Sequence, residues 1–179
     1  MNRRVLIVGS LIVVPLLVFL ALSFGKDPRA IESPLIDAPA PGFALLDLDG
    51  LPVDMEQLRG QPVMINFWAT WCQPCIRSLP KLVEMSNAMD SKGVKFVGIS
   101  VDSPRNTSKV KPFASSMGIT YPVLLDPSGE LMGELSVMAV PTLIIVDRDL
   151  NIVYTHEGFN AGDELEIREE IEKYLASGI

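Results

Sequence analysis

Asn66-Phe67-Trp68-Ala69-Thr70-Trp71-Cys72-Gln73-Pro74-Cys75 is the stretch on which the fold turns. It opens inside an apolar run, residues 63–68, preceded by Gly60-Gln61-Pro62 and reading as a buried strand. From Cys72 onward Ile76, Leu79, Leu82, Val83 and Met89 recur at helical spacing, and Gly93 ends the pattern. A strand that gives way to a helix at this point places Cys72 at the helix N-terminus. There it meets backbone N–H groups without intrahelical partners and the positive end of the macrodipole. An ordinary thiol, with a pKa near 8.5, is only about 3% thiolate at pH 7. The dipole contributes up to ~2 kcal/mol, and one pKa unit corresponds to about 1.36 kcal/mol. Together with donated N–H bonds it can bring Cys72 to a substantial thiolate fraction. Cys75, one turn on and facing inward, is placed to attack a mixed disulfide at Cys72 and release the partner.

Other uses of two cysteines fit less well. A disulfide closing so short a loop removes little chain entropy, which argues against a structural staple. A four-ligand zinc site built from Cys and His lacks ligands, because the chain has two Cys and one His, and His156 is far along it. No metal is therefore expected. Inert buried cysteines would not need Trp71 beside them or a strand-to-helix junction. Cys-x-x-Cys next to a strand–helix unit is a redox pattern.

The 179 residues amount to about one domain. Hydrophobic residues make up 48% and charged residues 21%, a globular composition. Residues 5–24 carry no charge and are long enough, at about 1.5 Å per residue, to reach across roughly 30 Å of hydrocarbon. Arg3 and Arg4 precede this run, which favours a cytoplasmic N-terminus and an exported body. Residues 1–25 are thus expected to be a signal-anchor helix of a single-pass protein of the bacterial inner membrane, with the catalytic domain on the periplasmic side. A cleaved signal peptide, with Ala21-Leu22-Ser23 as its small-x-small site, is the competing reading. Either way the cysteines reach an oxidising compartment. Without Arg3 and Arg4, 13 basic residues face 22 acidic ones, which argues against nucleic acid or anionic lipid as the main partner.

Residues 26–38 hold Pro28 and Pro34 and read as a spacer, leaving 39–179 as the domain. Residues 43–48 and 51–53 flank Asp49-Gly50 and predict a hairpin. A second apolar strand is expected over 95–101, a helix over 105–117, a short extended piece over 121–125 and a short helix over 129–135. Strands over 142–146 and 152–154 then join through Asp147-Arg148-Asp149, and a last helix starts with Asn160 as a cap and Asp163 three residues on. Strands alternating with helices, then a closing hairpin and helix, imply an α/β domain whose central sheet is covered on both faces.

Trp71-Cys72-Gln73-Pro74-Cys75, with Pro80 five residues later, resembles a thioredoxin-fold active site, and Val140-Pro141-Thr142 resembles that family's cis-proline loop. The resemblance implies a mixed sheet flanked by helices, a cis Val140–Pro141 bond, and Pro141 packed against the cysteines. Trp71, Val140 and Pro141 would bind an extended partner, with Gln73 and Pro74 modulating the pair. Pro39-Ala40-Pro41-Gly42-Phe43, residues 58–63 and the insert with Tyr121-Pro122-Val123 are similar to the exported, membrane-tethered branch called TlpA, ResA and CcmG (DsbE). Asp27-Pro28-Arg29 and Ser33-Pro34-Leu35-Ile36 look most like CcmG. That branch takes electrons from a membrane donor of the DsbD or CcdA type and reduces disulfides in exported proteins, often apocytochrome c. It needs no cofactor beyond its redox-active disulfide.

Three positions depart from the family pattern. Asn66 stands where cytoplasmic thioredoxins have a buried Asp, as in the exported branch. Ser78 stands where that branch often has Glu, so the proton acceptor for Cys75 is unassigned. Thr142 follows the proline where CcmG proteins tend to have Glu. His156 reads as a surface histidine, and the charge-rich segment 164–173 as the solvated face of the last helix. Asp102 and Asp126 follow strand-like segments and could approach the active site, although spacing alone does not show it. Two other functions compete: a redoxin-type thiol peroxidase, disfavoured by Ile65 and Ala69 where it would want Pro and Thr or Ser, and a tethered chaperone-like peptide binder.

Overall fold

The computed structural model describes residues 36 and 38–177. The anchor expected over 1–25 and nearly all of the spacer lie outside these residues. Among the described residues no helix is long and apolar enough to cross a membrane.

Seven strands form one mixed sheet: β1 Ala44–Asp47, β2 Pro52–Asp54, β3 Val63–Trp68, β4 Lys95–Ser100, β5 Val123–Leu125, β6 Thr142–Val146 and β7 Ile152–Glu157. Their order is β2-β1-β5-β4-β3-β6-β7. Among the described residues four α-helices accompany them, α1 Gln73–Asp90, α2 Thr107–Ser116, α3 Glu130–Glu134 and α4 Asp163–Ser177, with a short 3-10 helix at Met55–Leu58. This is the thioredoxin-like arrangement, with the hairpin of β1 and β2 added at one edge.

β3 lies inside the sheet, parallel to β4 and antiparallel to β6, and all six of its residues are buried. Successive side chains of a strand point to opposite faces, and the two layers of the core follow from that. Val63, Ile65 and Phe67 pack with Phe43, Met55, Leu131 and Leu135, on the face carrying α3. Met64 packs on the other face with Leu82, Met85 and Met89 of α1 and Ile167 and Ile171 of α4. At the carboxyl end of β3, Trp68 joins Cys72, Cys75 and Leu79 with Val110 and Ala114 of α2. Buried on both faces, β3 can tolerate little variation of volume.

The predicted hairpin forms, with Leu45 opposite Val53. Gly50 takes φ +79°, while the Asp47 carboxylate accepts the Asp49 and Leu51 N–H groups at 2.8 and 2.9 Å. β1 also pairs with β5, Leu46 opposite Leu125, and so ties the hairpin to the main sheet. Gly98 of β4 is a glycine for a different reason. A Cβ there would stand 3.0 Å from Trp68 Nε1 and 3.3 Å from the Tyr121 ring.

β7 runs three residues past the predicted 152–154. Thr155, His156 and Glu157 lack an apolar pattern, but Ile144, Leu143 and Thr142 of β6 stand opposite them and complete the ladder. Pairing with a buried neighbour has overridden local preference here.

Candidate active site

The site is assembled where β3 ends and α1 begins, as the sequence implies. Cys72 is the N-cap of α1, with φ −84° and ψ 107°, and its sulfur accepts the Cys75 N–H at 3.2 Å. Ile76 N–H reaches the Cys72 carbonyl at 3.0 Å. Pro74 occupies the first turn, where its missing N–H would have lacked a partner in any case. The residues Cys-Gln-Pro-Cys therefore satisfy the start of the helix with a sulfur in the place usually taken by a hydroxyl or carboxylate.

Cys72 and Cys75 form a disulfide, with sulfurs 2.07 Å and Cα atoms 5.2 Å apart. Cys75 is fully buried, and Cys72 is 4% exposed. An attacking group reaches the pair from the Cys72 side. Trp71 stands beside it, 62% exposed, whereas Trp68 is buried as the sequence suggests.

The Val140–Pro141 bond is cis. The loop brings the Val140 carbonyl oxygen to 3.4 Å from Cys72 Sγ. In the reduced protein that oxygen can accept a hydrogen bond from the thiol. It offers nothing to a thiolate, so it works against the helix terminus and the Cys75 N–H, which favour the charged form. Pro141 is buried, and its carbonyl accepts the Gly158 N–H at 2.8 Å, fixing the loop to the end of β7. Thr142 turns its hydroxyl back to the Ala139 carbonyl at 2.8 Å and is itself buried. The structure thus brings Trp71, Cys72, Cys75 and the Val140–Pro141 loop together, with Gln73 exposed and Pro74 half-buried in the first helical turn.

Ser78, where a carboxylate is often found, is buried and donates to the Cys75 carbonyl at 3.0 Å. Asn66 is buried too, and its amide lies beside the Tyr121 hydroxyl without a well-formed hydrogen bond to it; the buried Trp68 Nε1 also lacks an acceptor. Burial pushes the Tyr121 phenol well above its ordinary pKa.

Asp102, which the sequence marked only as able to approach the site, is bonded to the loop that carries Cys72. Its carboxylate accepts the Thr70 N–H at 2.9 Å, the Thr70 hydroxyl at 2.6 Å and the Ser100 hydroxyl at 3.0 Å. Thr70 precedes Trp71 and Cys72, so Asp102 holds the loop that presents them. The available signal was its position just after an apolar strand parallel to β3, and only the β3–β4 register turns that into proximity. Asp126, whose N–H reaches the Ser100 carbonyl at 2.9 Å, turns its carboxylate to the start of α3, accepting the Glu130 and Met132 N–H groups at 3.0 and 2.9 Å.

His156 differs from the surface histidine expected. It is half-buried, with Nε2 3.1 Å from Asp163 Oδ2 and Nδ1 3.2 Å from the Tyr154 hydroxyl. The extension of β7 carries it under the start of α4. Burial pushes the Asp163 carboxyl up, but the Asn160 N–H and the His156 ring more than offset this and hold it below its ordinary pKa. A carboxyl with a depressed folded-state pKa stabilises the fold above its unfolded pKa of about 4 and loses that contribution as pH falls through the folded value. Asp163→Asn is expected to lower the melting temperature at pH 7 by a few degrees, on the order of 1 kcal/mol. Thermal scans should show that difference closing as pH drops below about 4, and a gap that persists at pH 2 would refute it.

Among the described residues no group of three or more His, Cys, Asp or Glu side chains could hold a metal ion. The chemistry the site offers is thiol–disulfide exchange at two sulfurs of unequal access.

A sequence model of the AhpC/TSA family matches residues 36–155. The thiol-disulfide oxidoreductase ResA of Bacillus anthracis is 32% identical over 135 residues, covering 75% of this chain and 77% of that protein. ResA of Geobacillus kaustophilus is 30% identical over 142 residues, covering 79% and 77%. Among solved structures, a candidate thiol:disulfide interchange protein DsbE from Chlorobium tepidum superposes with a TM-score of 0.72 at 29% identity, covering 76% of this chain and 95% of that one. StoA from Bacillus subtilis gives 0.61 at 28% identity, covering 74% and 98%.

Proposed function

The chain belongs to the AhpC/TSA family, as a thiol-disulfide oxidoreductase of the ResA and DsbE type, and from that premise we propose that it is a reductant of disulfides in exported proteins, apocytochrome c among them. The observation that carries this reading is a disulfide at a helix N-terminus with one sulfur reachable, the other buried, and a cis-proline loop against the first.

In the proposed cycle the Cys72 thiolate attacks one sulfur of the partner's disulfide. A Cys72–partner bond forms and the partner's other sulfur leaves as a thiolate, taking up a proton. Cys75 then loses its proton and attacks Cys72 Sγ, closing the Cys72–Cys75 disulfide and releasing the partner with both thiols reduced. Two electrons have passed to the partner. Trp71 and the Val140–Pro141 backbone would hold the partner chain in extended form beside Cys72, and Gln73 and Pro74 would tune the couple. A membrane donor of the DsbD or CcdA type would return the two electrons. No cofactor other than the disulfide is required. The exported, inner-membrane placement rests on the apolar run 5–24 and the arginines before it.

The direction of transfer is set by the reduction potential. Equilibration of the full chain with glutathione, read by thiol alkylation and mass, is expected to place the couple well below −180 mV, on the reducing side of about the disulfide isomerase range. A value near −120 mV, about that of a strong oxidant, would overturn the assignment as a reductant. The same preparation is expected to consume no peroxide beyond the uncatalysed rate, which separates it from a thiol peroxidase.

A further inference from the structure

Asp102 is 1% exposed, yet none of the ion pairs among the described residues includes it. Its three donors, the Thr70 N–H and the hydroxyls of Thr70 and Ser100, are all neutral. No ion pair among the described residues offsets this carboxylate, which is held by hydrogen bonds from neutral groups alone. Thr70 is two residues from Cys72, so the carboxylate is clamped to the loop immediately before the reactive sulfur. Little water intervenes around so buried a group, and a charge there is felt more strongly than at the surface.

We propose that Asp102 is a positioning residue of the redox site that fixes the loop presenting Cys72 and, by its unneutralised charge, holds the Cys72–Cys75 couple on the reducing side. The proposal rests on the exchange reading above. A negative charge near Cys72 opposes the thiolate, and whatever destabilises the thiolate weakens the reduced form relative to the disulfide. The helix N-terminus and the Cys75 N–H pull the other way. Asp102 therefore limits how far they can drive the pair towards an oxidant. In exchange with glutathione, Cys72 and Cys75 give two electrons and two protons to one glutathione disulfide, forming two glutathione thiols and the internal disulfide. The equilibrium constant of that reaction reports the balance directly.

The test compares the full chain with Asp102→Asn and Ser100→Ala at fixed pH, by glutathione equilibration and by the iodoacetamide alkylation rate of Cys72. Asp102→Asn keeps the shape and removes the charge. The couple is expected to become more oxidising by about tenfold in the equilibrium constant, roughly 30 mV, with alkylation several-fold faster at pH 7. Ser100→Ala keeps the charge and removes one donor, so it should move the couple the other way, by about twofold. An Asp102→Asn protein that melts earlier but keeps the wild-type potential makes Asp102 a purely structural clamp and overturns the proposal. So does a shift towards the reducing side. If Asp102→Asn does not fold, an unchanged or upward potential in Ser100→Ala overturns it alone. A wild-type chain that does not equilibrate with glutathione at all refutes the exchange reading instead, which keeps the two failures apart.

Discussion

Cys72→Ser is expected to eliminate disulfide reduction, with turnover of a model protein disulfide falling on the order of a thousandfold or more, to the background of uncatalysed exchange. Of the two cysteines only Cys72 keeps any exposure, 4%, while Cys75 is fully buried and has no route to a partner's disulfide. The fold should survive. A serine hydroxyl can accept the Cys75 N–H in place of the sulfur, and serine is a favourable N-cap. The lost disulfide closes a loop of so few residues that it contributes little to stability. Thermal unfolding of the variant should therefore stay within a few degrees of wild type. Cys75→Ser separates the two roles, because capture still occurs but release does not, and a mixed disulfide with the partner should accumulate on non-reducing gels. If instead Cys72→Ser kept reductase activity, nucleophilic exchange at this site would be excluded. Peptide binding that persisted without any redox activity in the wild type would favour a tethered binding module.

Phe67→Ala is expected to cost about 3–5 kcal/mol, the range for removing a fully buried aromatic side chain. For a domain of this size that lowers the melting temperature by about 10 °C or more. Phe67 sits in β3, opposite Ile99 of β4 and Thr142 of β6. Its ring faces the layer formed with Met55, Leu131 and Ile144. Neighbours on a strand buried on both faces cannot collapse into the space without breaking their own ladders, so the cavity should persist. Calorimetry on the variant checks this, and a loss under about 1 kcal/mol would mean that the layer repacks freely. Activity measured well below the melting point should be less affected than stability, since the ring lies on the face of β3 opposite the one Met64 and Trp68 share with α1.

Much of the fold could be read directly from the residues. The run 63–68 and the helical spacing after Cys72 are local patterns, strong because burial on both faces demands apolar residues without interruption. The ends of β3 and β6 coincide with the predicted ones for that reason. The end of β7 does not, because Thr155 to Glu157 are held by the strand opposite and not by their own pattern. The pair Cys72 and Cys75 and the Val140–Pro141 loop were legible through residue type and family likeness. Asp102 and the Tyr154–His156–Asp163 chain were not, because the contacts that define them join residues far apart in sequence or on different elements.

By itself the sequence determined that a cysteine would stand at the head of a helix with a second one turn behind, since strand and helix periodicity and the junction between them are short-range properties of the chain. It also determined the acidic balance and the apolar run at the N-terminus. Only the tertiary structure decided what surrounds the sulfur: a carbonyl at 3.4 Å and a carboxylate clamped to the preceding loop. Those neighbours arrive through the pairing of β3 with β4 and β6, and register between strands is fixed by packing of the whole sheet, which no local stretch encodes.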